Sequence, residues 1–275
     1  MKKTLILLAF VVAAMLAQAQ IAPLNSSNTV GFVLVTNIAN QANSIITVPF
    51  EACLSNGAAG VVADLVSTNG LVAAGDAAHA DQLVVLTTNA TGLIYYYYWL
   101  HAGTGWTAID TTVLMPGGTN AIVTPPAADT FQISRGLGFW LKRYASASDS
   151  TVMLKGQVSD IAQSTVIMPG LNLVGFASPT NVTLNDSGVS WVGAYSTNGL
   201  TTTSDKIMIV GTNGLLAPYF YFTCPTGVTW SAYAALDGKW INQGYVVATN
   251  VSISAGHGFW YVRRGSSSFT FQPGL

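Results

Sequence analysis

The sequence has very few charged residues. Lys and Arg number 10 and Asp and Glu number 11, so charged residues make up 8% of the 275 residues, against about 25% in an ordinary soluble domain. No run of Lys and Arg is present, and the formal net charge is −1. This composition argues against binding to nucleic acid or to an anionic membrane. An apolar fraction of 50% also argues against intrinsic disorder, which requires low hydrophobicity.

Histidine and glutamate are nearly absent, and those present form no catalytic or metal-binding pattern. The three histidines are His79, His101 and His257, and Glu51 is the one glutamate. No histidine stands at a metal-ligand spacing from another His or Cys, and no D-x-D-x-D-G calcium loop is present. We therefore expect a protein that is not an enzyme and that has neither a metal site nor a cofactor.

Cysteine is also scarce, with Cys53 and Cys224 as its two examples. In an oxidising compartment the two residues can form a disulfide bond that joins distant parts of the chain. The alternative is two buried free thiols that pack as small apolar side chains. The sequence leaves both alternatives open.

No apolar run is long enough to span a membrane as a helix. The longest apolar segment, residues 5–16, follows Lys2 and Lys3 and precedes Ala17-Gln18-Ala19. This is the pattern of a secretory signal peptide at residues 1–19. We expect an exported protein without a transmembrane helix, at the cell surface or in the medium, with the periplasm as the alternative.

The strongest feature of the sequence is an internal repeat. Three landmarks recur in the same order: residues 81–106 align without a gap with 205–230, Ser-Thr-Asn-Gly-Leu at 67–71 recurs at 196–200, and Gly-x-Gly-Phe-Trp at 136–140 recurs at 256–260. A period of about 120 residues is long enough for each copy to be a module with its own core. We assign copy one to residues 26–148 and copy two to residues 149–275.

The segments between turn residues are short and rich in Val, Ile, Thr and aromatic residues, which favours β-strands. Asn69-Gly70, Asn198-Gly199 and Asn213-Gly214 are dipeptides typical of tight hairpin turns. No window shows a sustained helical stripe of apolar residues. The predicted fold is therefore all-β, with two tandem homologous modules, each a β-sandwich or a partly open β-barrel.

Several short motifs together suggest a family. They are Lys-Gly-Gln-Val at 155–158, Met-Pro-Gly-Leu-Asn-Leu-Val-Gly at 168–175, and the repeated Gly-x-Gly-Phe-Trp. This set resembles a group of exported, usually duplicated proteins of Verrucomicrobia and related bacteria. Copy one departs from the pattern, because it reads Val-Pro-Phe-Glu at 48–51. The resemblance implies an exported β-rich protein and names no active site.

Aromatic residues supply the candidate binding site. On a strand, Tyr95, Tyr97 and Trp99 share one face and Tyr96 and Tyr98 share the other. Copy two has Tyr219 and Tyr221 alternating with Phe220 and Phe222, and the absence of hydroxyls suggests that the two Phe side chains point inward. The candidate ligand-binding residues are therefore Tyr95, Tyr97, Trp99, Tyr219 and Tyr221. The alternative is that the second sheet or the sister module covers this face.

The remaining repeated polar residues favour structural interpretations. Asp81 and Asp205 each precede a predicted strand, where an aspartate commonly caps a turn by accepting backbone N–H bonds. Gly-x-Gly lacks the third glycine and the following helix of a nucleotide-binding loop, so it predicts a tight turn. Four basic residues follow the Phe-Trp landmarks and are expected at solvated strand ends: Lys142, Arg143, Arg263 and Arg264.

These features lead to one functional expectation and one alternative. The duplication and low charge favour a secreted or cell-surface structural or adhesive protein without catalytic activity. Its expected partners are further copies of itself or other surface proteins. The alternative is a tandem carbohydrate-binding module that uses the exposed aromatic rows to hold polysaccharide. A hydrolase would require two carboxylates flanking one cleft.

Overall fold

The computed structural model confirms the all-β prediction. It describes residues 30–37, 44–50, 70–89, 92–109, 125–144, 150–158, 164–185, 188–196, 201–211, 215–224 and 231–271. Within these ranges the helical content is a single 3-10 segment, Ser231–Leu236. None of the sheets that these residues form closes on itself. No helix in the described ranges is long and apolar enough to cross a membrane.

The first sheet has five antiparallel strands. In spatial order they are β2 (Ser44–Thr47), β6 (Gly138–Lys142), β3 (Gln82–Asn89), β4 (Gly92–His101) and β5 (Gly105–Ala108). A separate two-stranded ribbon consists of β1 (Val30–Asn37) and β7 (Ser150–Gln157). Between the sheet and the ribbon lies the first core, in which Phe50, Leu83, Tyr98 and Phe139 are fully buried. We call the first sheet and this ribbon the first module.

The second sheet repeats the same plan. In spatial order its strands are β9 (Gly170–Gly175), β15 (Gly258–Arg263), β11 (Lys206–Val210), β12 (Leu216–Phe222) and β13 (Lys239–Ile241). Its ribbon pairs β8 (Thr165–Ile167) with β16 (Phe269–Phe271), and a short pair joins β10 (Val182–Thr183) to β14 (Ser252–Ile253). Phe259, Tyr261, Trp240 and Phe271 occupy the second core. These elements form the second module.

Strand β7 belongs structurally with the first module. It starts at Ser150, within the range that the sequence repeat assigns to copy two, yet all eight of its residues pair with β1. Val152 and Leu154 are buried in the first core. Of the two cysteines, Cys224 is partly buried and has a free thiol. Cys53 and the expected signal peptide lie outside the described residues.

The two repeated aspartates fasten the strand ends of their modules, as the turn interpretation predicts. Asp81 is fully buried and accepts hydrogen bonds from the backbone N–H groups of Val72 (2.8 Å) and Tyr144 (2.6 Å). Asp205 is equally buried and accepts bonds from Tyr195 N–H (2.9 Å) and Arg264 N–H (2.7 Å).

The expectation that all four basic residues are solvated is wrong for Arg143 and Arg263. Arg143 Nε lies 2.9 Å from Asp81 Oδ2, and Arg263 Nη1 lies 2.6 Å from Asp205 Oδ2, with both arginines buried. A buried carboxylate requires such a partner, because an unpaired charge in the interior is strongly destabilising. Tyr261 also donates its hydroxyl to Asp205 (2.7 Å). Burial, and next the charge of Asp205, raise the pKa of Tyr261. Lys142 and Arg264 are exposed, as expected.

The two modules pack against each other in a pseudo-two-fold arrangement. Thr47 N–H donates to the carbonyl of Gly256 (2.9 Å), and Gly175 N–H donates to the carbonyl of Gly136 (3.0 Å). Thr47 lies opposite Gly138 in the first sheet, as Gly175 lies opposite Gly258 in the second. The two hydrogen bonds are therefore equivalent, and this reciprocity is what defines an isologous interface.

The Gly-x-Gly-Phe-Trp motif explains this interface. Gly136 and Gly256 have φ values of 81° and 76°, which confirms the predicted turns. Phe139 and Phe259 each enter the core of their own module. Trp140 and Trp260 each point away from that core, toward the other module, and their ring centroids lie 4.8 Å apart. The contact between the modules also contains Ile45, Leu86, Leu173 and Met208.

Candidate functional site

The aromatic row of β4 lies on the face of the first sheet that points away from its core. Tyr98 is fully buried in the first core, and Tyr96 packs against that core. The residues that alternate with them are Tyr95, Tyr97 and Trp99, and these therefore project to the opposite face. On that face Tyr95 packs against the apolar cluster between the two modules. The predicted orientation of β4 is confirmed. All three side chains of this row, which we call the aromatic row, are half-buried.

The aromatic row extends outward from the module interface. Tyr95 packs beside Trp140, with ring centroids 6.4 Å apart and planes inclined by 15°. Tyr97 follows at 6.5 Å from Tyr95, inclined by 32°, and Trp99 meets His101 at 4.9 Å in an edge contact. Burial, and next the neighbouring Tyr95, raise the pKa of Tyr97 above 10.0. The Tyr97 hydroxyl therefore stays protonated at neutral pH and can donate a hydrogen bond.

Neutral polar groups surround the outer end of the row. Gln82 and Thr107 lie directly opposite Trp99 on the neighbouring strands. Gln82 in turn pairs with Lys142, which is exposed. Gln82 Nε2 donates to the carbonyl of Ala77 (2.7 Å), so its amide is held in one orientation. The row thus presents flat rings with hydrogen-bonding groups and one cation beside them.

A pocket of about 480 Å³ lies between β5 and residues 127–129. Its lining includes Trp106, Thr107, Ala128 and Asp129. Asp129 is the one carboxylate in this lining, whereas glycoside hydrolysis by the common mechanisms requires two facing carboxyl groups. Within the described ranges, no three His, Cys, Asp or Glu residues come together in a group that could hold a metal ion.

The orientation expected for Tyr219 and Tyr221 is wrong. Leu83 lies opposite Tyr98 in the first module, but its counterpart Ile207 lies opposite Tyr219. The hairpin of the second module is therefore three residues shorter, and an odd shift in register exchanges the two faces of a strand. Tyr219 and Tyr221 accordingly pack against the second core. Their use as ligand-binding residues stays a prediction without an outward-facing row to support it.

The same shift places Phe220 and Phe222 on the outer face of the second sheet, where other residues cover them. Leu236 of the 3-10 segment and Ile241 of β13 form a small cluster with the two phenylalanines. In the first module a short turn at 102–104 joins β4 directly to β5. No segment equivalent to Ser231–Leu236 stands between those strands. The outer faces of the two sheets therefore differ, and the first carries the aromatic row.

Sequence reasoning missed a pair of tyrosines in the second module. Tyr233 lies on the 3-10 segment and Tyr245 in the turn after β13, with ring centroids 5.9 Å apart and both side chains exposed. The sequence Asn242-Gln243-Gly244 signals a turn, but nothing in it indicates that a second loop brings another tyrosine beside Tyr245.

Comparison of the chain with protein-family models, curated proteins and solved structures finds no match.

Proposed function

We propose that the chain is an exported, non-catalytic surface protein that adheres to polysaccharide through the aromatic row of Tyr95, Tyr97 and Trp99. The observation that carries the proposal is that three half-buried rings lie in sequence on one face of β4, a strand with neighbours on both sides in the first sheet. Aromatic rings offer a flat apolar face to the C–H groups of a sugar, and the Tyr hydroxyl and Trp N–H offer hydrogen bonds.

The neighbouring strands and Trp140 hold the aromatic row rigidly, which favours ligand binding over a purely structural role. β4 pairs on both sides, with β3 and β5, and Trp140 packs against Tyr95 at the inner end. Rigid presentation lowers the entropy lost when a ligand binds. The neutral groups Gln82 and Thr107 suit an uncharged ligand rich in hydroxyl groups. Across the sheet from Trp99 lie Thr107 on one side and Gln82, followed by Lys142, on the other, and Lys142 is the one charged residue among the three.

The experiment is a glycan array, followed by titration of the mature protein with the best polysaccharide. Tyr97→Ala should weaken binding about three- to tenfold, because one aromatic contact contributes about 0.5–1.5 kcal/mol. Val192→Ala is the control, because Val192 is exposed at 81% on the second module and belongs to no surface named here. A blank array, or equal binding by wild type and Tyr97→Ala, would refute the proposal.

Self-assembly is the second candidate, and a different surface favours it. The ribbon of the first module has eight residue pairs, against three in the second, and its outer face exposes Phe32 at 67% and Leu34 at 57%. An exposed strand face with two large apolar side chains is a ready contact for another copy. Light scattering and electron microscopy should then show assemblies that Leu34→Lys disperses. Monomers of the wild type at its native concentration would count against this candidate.

A further inference from the structure

A second aromatic surface lies on the outer side of the second module. Tyr233 and Tyr245 meet edge to face above Phe222, whose ring centroid lies 6.3 Å from Tyr233 and 6.2 Å from Tyr245. Phe222 is fully buried, whereas Tyr233 and Tyr245 are exposed at 36% and 38%. Phe222 therefore supports two tyrosines that face solvent. We call Tyr233 and Tyr245 the tyrosine pair.

The backbone at Tyr245 is in an unfavourable conformation. Its φ of 59° makes it the one residue other than glycine with a positive φ in the described ranges. Bulky residues rarely adopt this region, and the strain costs about 1–3 kcal/mol. The turn is held by Asn242, whose Oδ1 accepts the N–H groups of Gly244 (2.8 Å) and Val246 (3.0 Å). Glycine or asparagine would fit the same turn without this strain.

A strained, exposed tyrosine in a well-ordered turn is unusual, because stability alone would favour Gly or Asn at this position. The strain is balanced by contacts that place the Tyr245 ring against Tyr233 and Phe222. The 3-10 segment that carries Tyr233 is an addition to the second module, since the first module joins the corresponding strands by a three-residue turn. Two separate departures from the simplest fold therefore build one surface.

The size and polarity of the tyrosine pair define its ligand. Two side chains that are each a little over one-third exposed offer far less accessible area than the ~1,000 Å² that a stable protein interface requires. Lys239 and Asp237 are exposed close by in the sequence and have opposite charges, and Asn242 and Gln243 are neutral. The surface thus suits a small, uncharged group that combines an apolar face with hydroxyl groups, which is the chemistry of a pyranose ring.

We propose that Tyr233 and Tyr245 form a second carbohydrate contact, which binds a neutral sugar unit of the polysaccharide. This inference rests on the proposed function for the choice of partner, but it uses different residues on a different module. It also replaces Tyr219 and Tyr221, which face the second core, as the binding residues of the second copy. A polymer that reaches both modules gains avidity from the two contacts.

The test measures depletion of the mature protein from solution by insoluble cellulose, xylan and mannan. Tyr245→Gly and Tyr233→Ala should each weaken binding about three- to tenfold, and combining either one with Tyr97→Ala should weaken it further. Tyr195→Ala is the control, because Tyr195 is an exposed tyrosine of the same module outside the pair. Tyr245→Gly relieves the positive φ, so its Tm should stay within about 4 °C of wild type. This separates loss of binding from loss of fold.

Each outcome of the test decides between the two contacts. If Tyr97→Ala weakens binding and both variants of the tyrosine pair bind like wild type, the second contact is refuted and the aromatic row stands. If the tyrosine-pair variants weaken binding and Tyr97→Ala does not, the second contact stands and the row is refuted. Absence of wild-type binding to all three polysaccharides, together with a blank glycan array, refutes both.

Discussion

Replacement of Gly138 by alanine should separate the two modules. A Cβ atom at this position would lie 2.9 Å from the backbone carbon of Leu173 and 2.9 Å from the backbone nitrogen of Val174. Both contacts are with β9 of the other module, and a paired strand cannot move away as a side chain can. Because real Cβ atoms essentially never approach so closely, the interface itself has to open.

The expected destabilisation is about 1–3 kcal/mol, the usual range for inserting one carbon into a well-packed contact. In a protein of this size, each kcal/mol lowers the Tm by about 2–4 °C. Gly75→Ala is the matched control, because a Cβ at Gly75 meets nothing within 4 Å. That variant should leave the free energy of unfolding within about 0.5 kcal/mol of wild type. Gly258→Ala should also destabilise the interface, because a Cβ there would lie 2.6 Å from Ile45 Cγ2 of the first module and 2.9 Å from the carbonyl oxygen of Val174.

Calorimetry and near-UV circular dichroism together provide the assay. The edge contact of Trp140 and Trp260, at 4.8 Å, lies in the interface and reports on its closure. Gly138→Ala should lower the Tm and diminish the tryptophan signal, whereas Gly75→Ala should change neither. If the two variants unfold at the same temperature with the same near-UV spectrum, the assignment of the Gly-x-Gly-Phe-Trp motif to module packing is refuted.

Two further predictions concern buried polar groups. Asp205→Asn should destabilise the protein by about 3–5 kcal/mol in urea unfolding, because it leaves Arg263 buried without its counter-charge. The control is Asp76→Asn, because Asp76 is exposed. Equal destabilisation by the two variants would contradict the prediction. Burial lowers the pKa of His257 below 6.5, so the unfolded chain binds the proton first as the pH falls. Its contribution to stability is complete above pH 6.5 and decreases below it, by up to about 1.4 kcal/mol per pH unit. His257→Leu should flatten that decrease, and an unchanged pH profile would contradict it.

Local sequence patterns predicted the strands and the facing of β4 well. Short segments rich in β-branched and aromatic residues can be recognised without tertiary information, and the alternation along Tyr95–Trp99 is a property of any strand. The position of Asp81 and Asp205 before a strand predicted their bonds to backbone N–H groups. Their pairing with Arg143 and Arg263 was missed, because that contact forms between strands that are distant in sequence.

The second module shows where pattern reasoning fails. Residues 205–230 align with 81–106 without a gap, yet β12 pairs with β11 in a register shifted by three residues. Register depends on the length of the turn and on which face finds a core, and neither is visible in an alignment of two copies. For the same reason the pairing of Tyr233 with Tyr245 was not predicted, since it requires two loops to meet in space.

Strand propensity, turn residues and repetition are local properties, and they were enough to predict the all-β class and the landmarks of the two copies. Which aromatic rings face solvent, in contrast, depends on long-range packing. That outcome depends on a register shift in β12, on the packing of Trp140 against Trp260, and on the loop that covers Phe222. Each is a contact between segments far apart in the chain, and their free energies are set by packing that no single segment specifies.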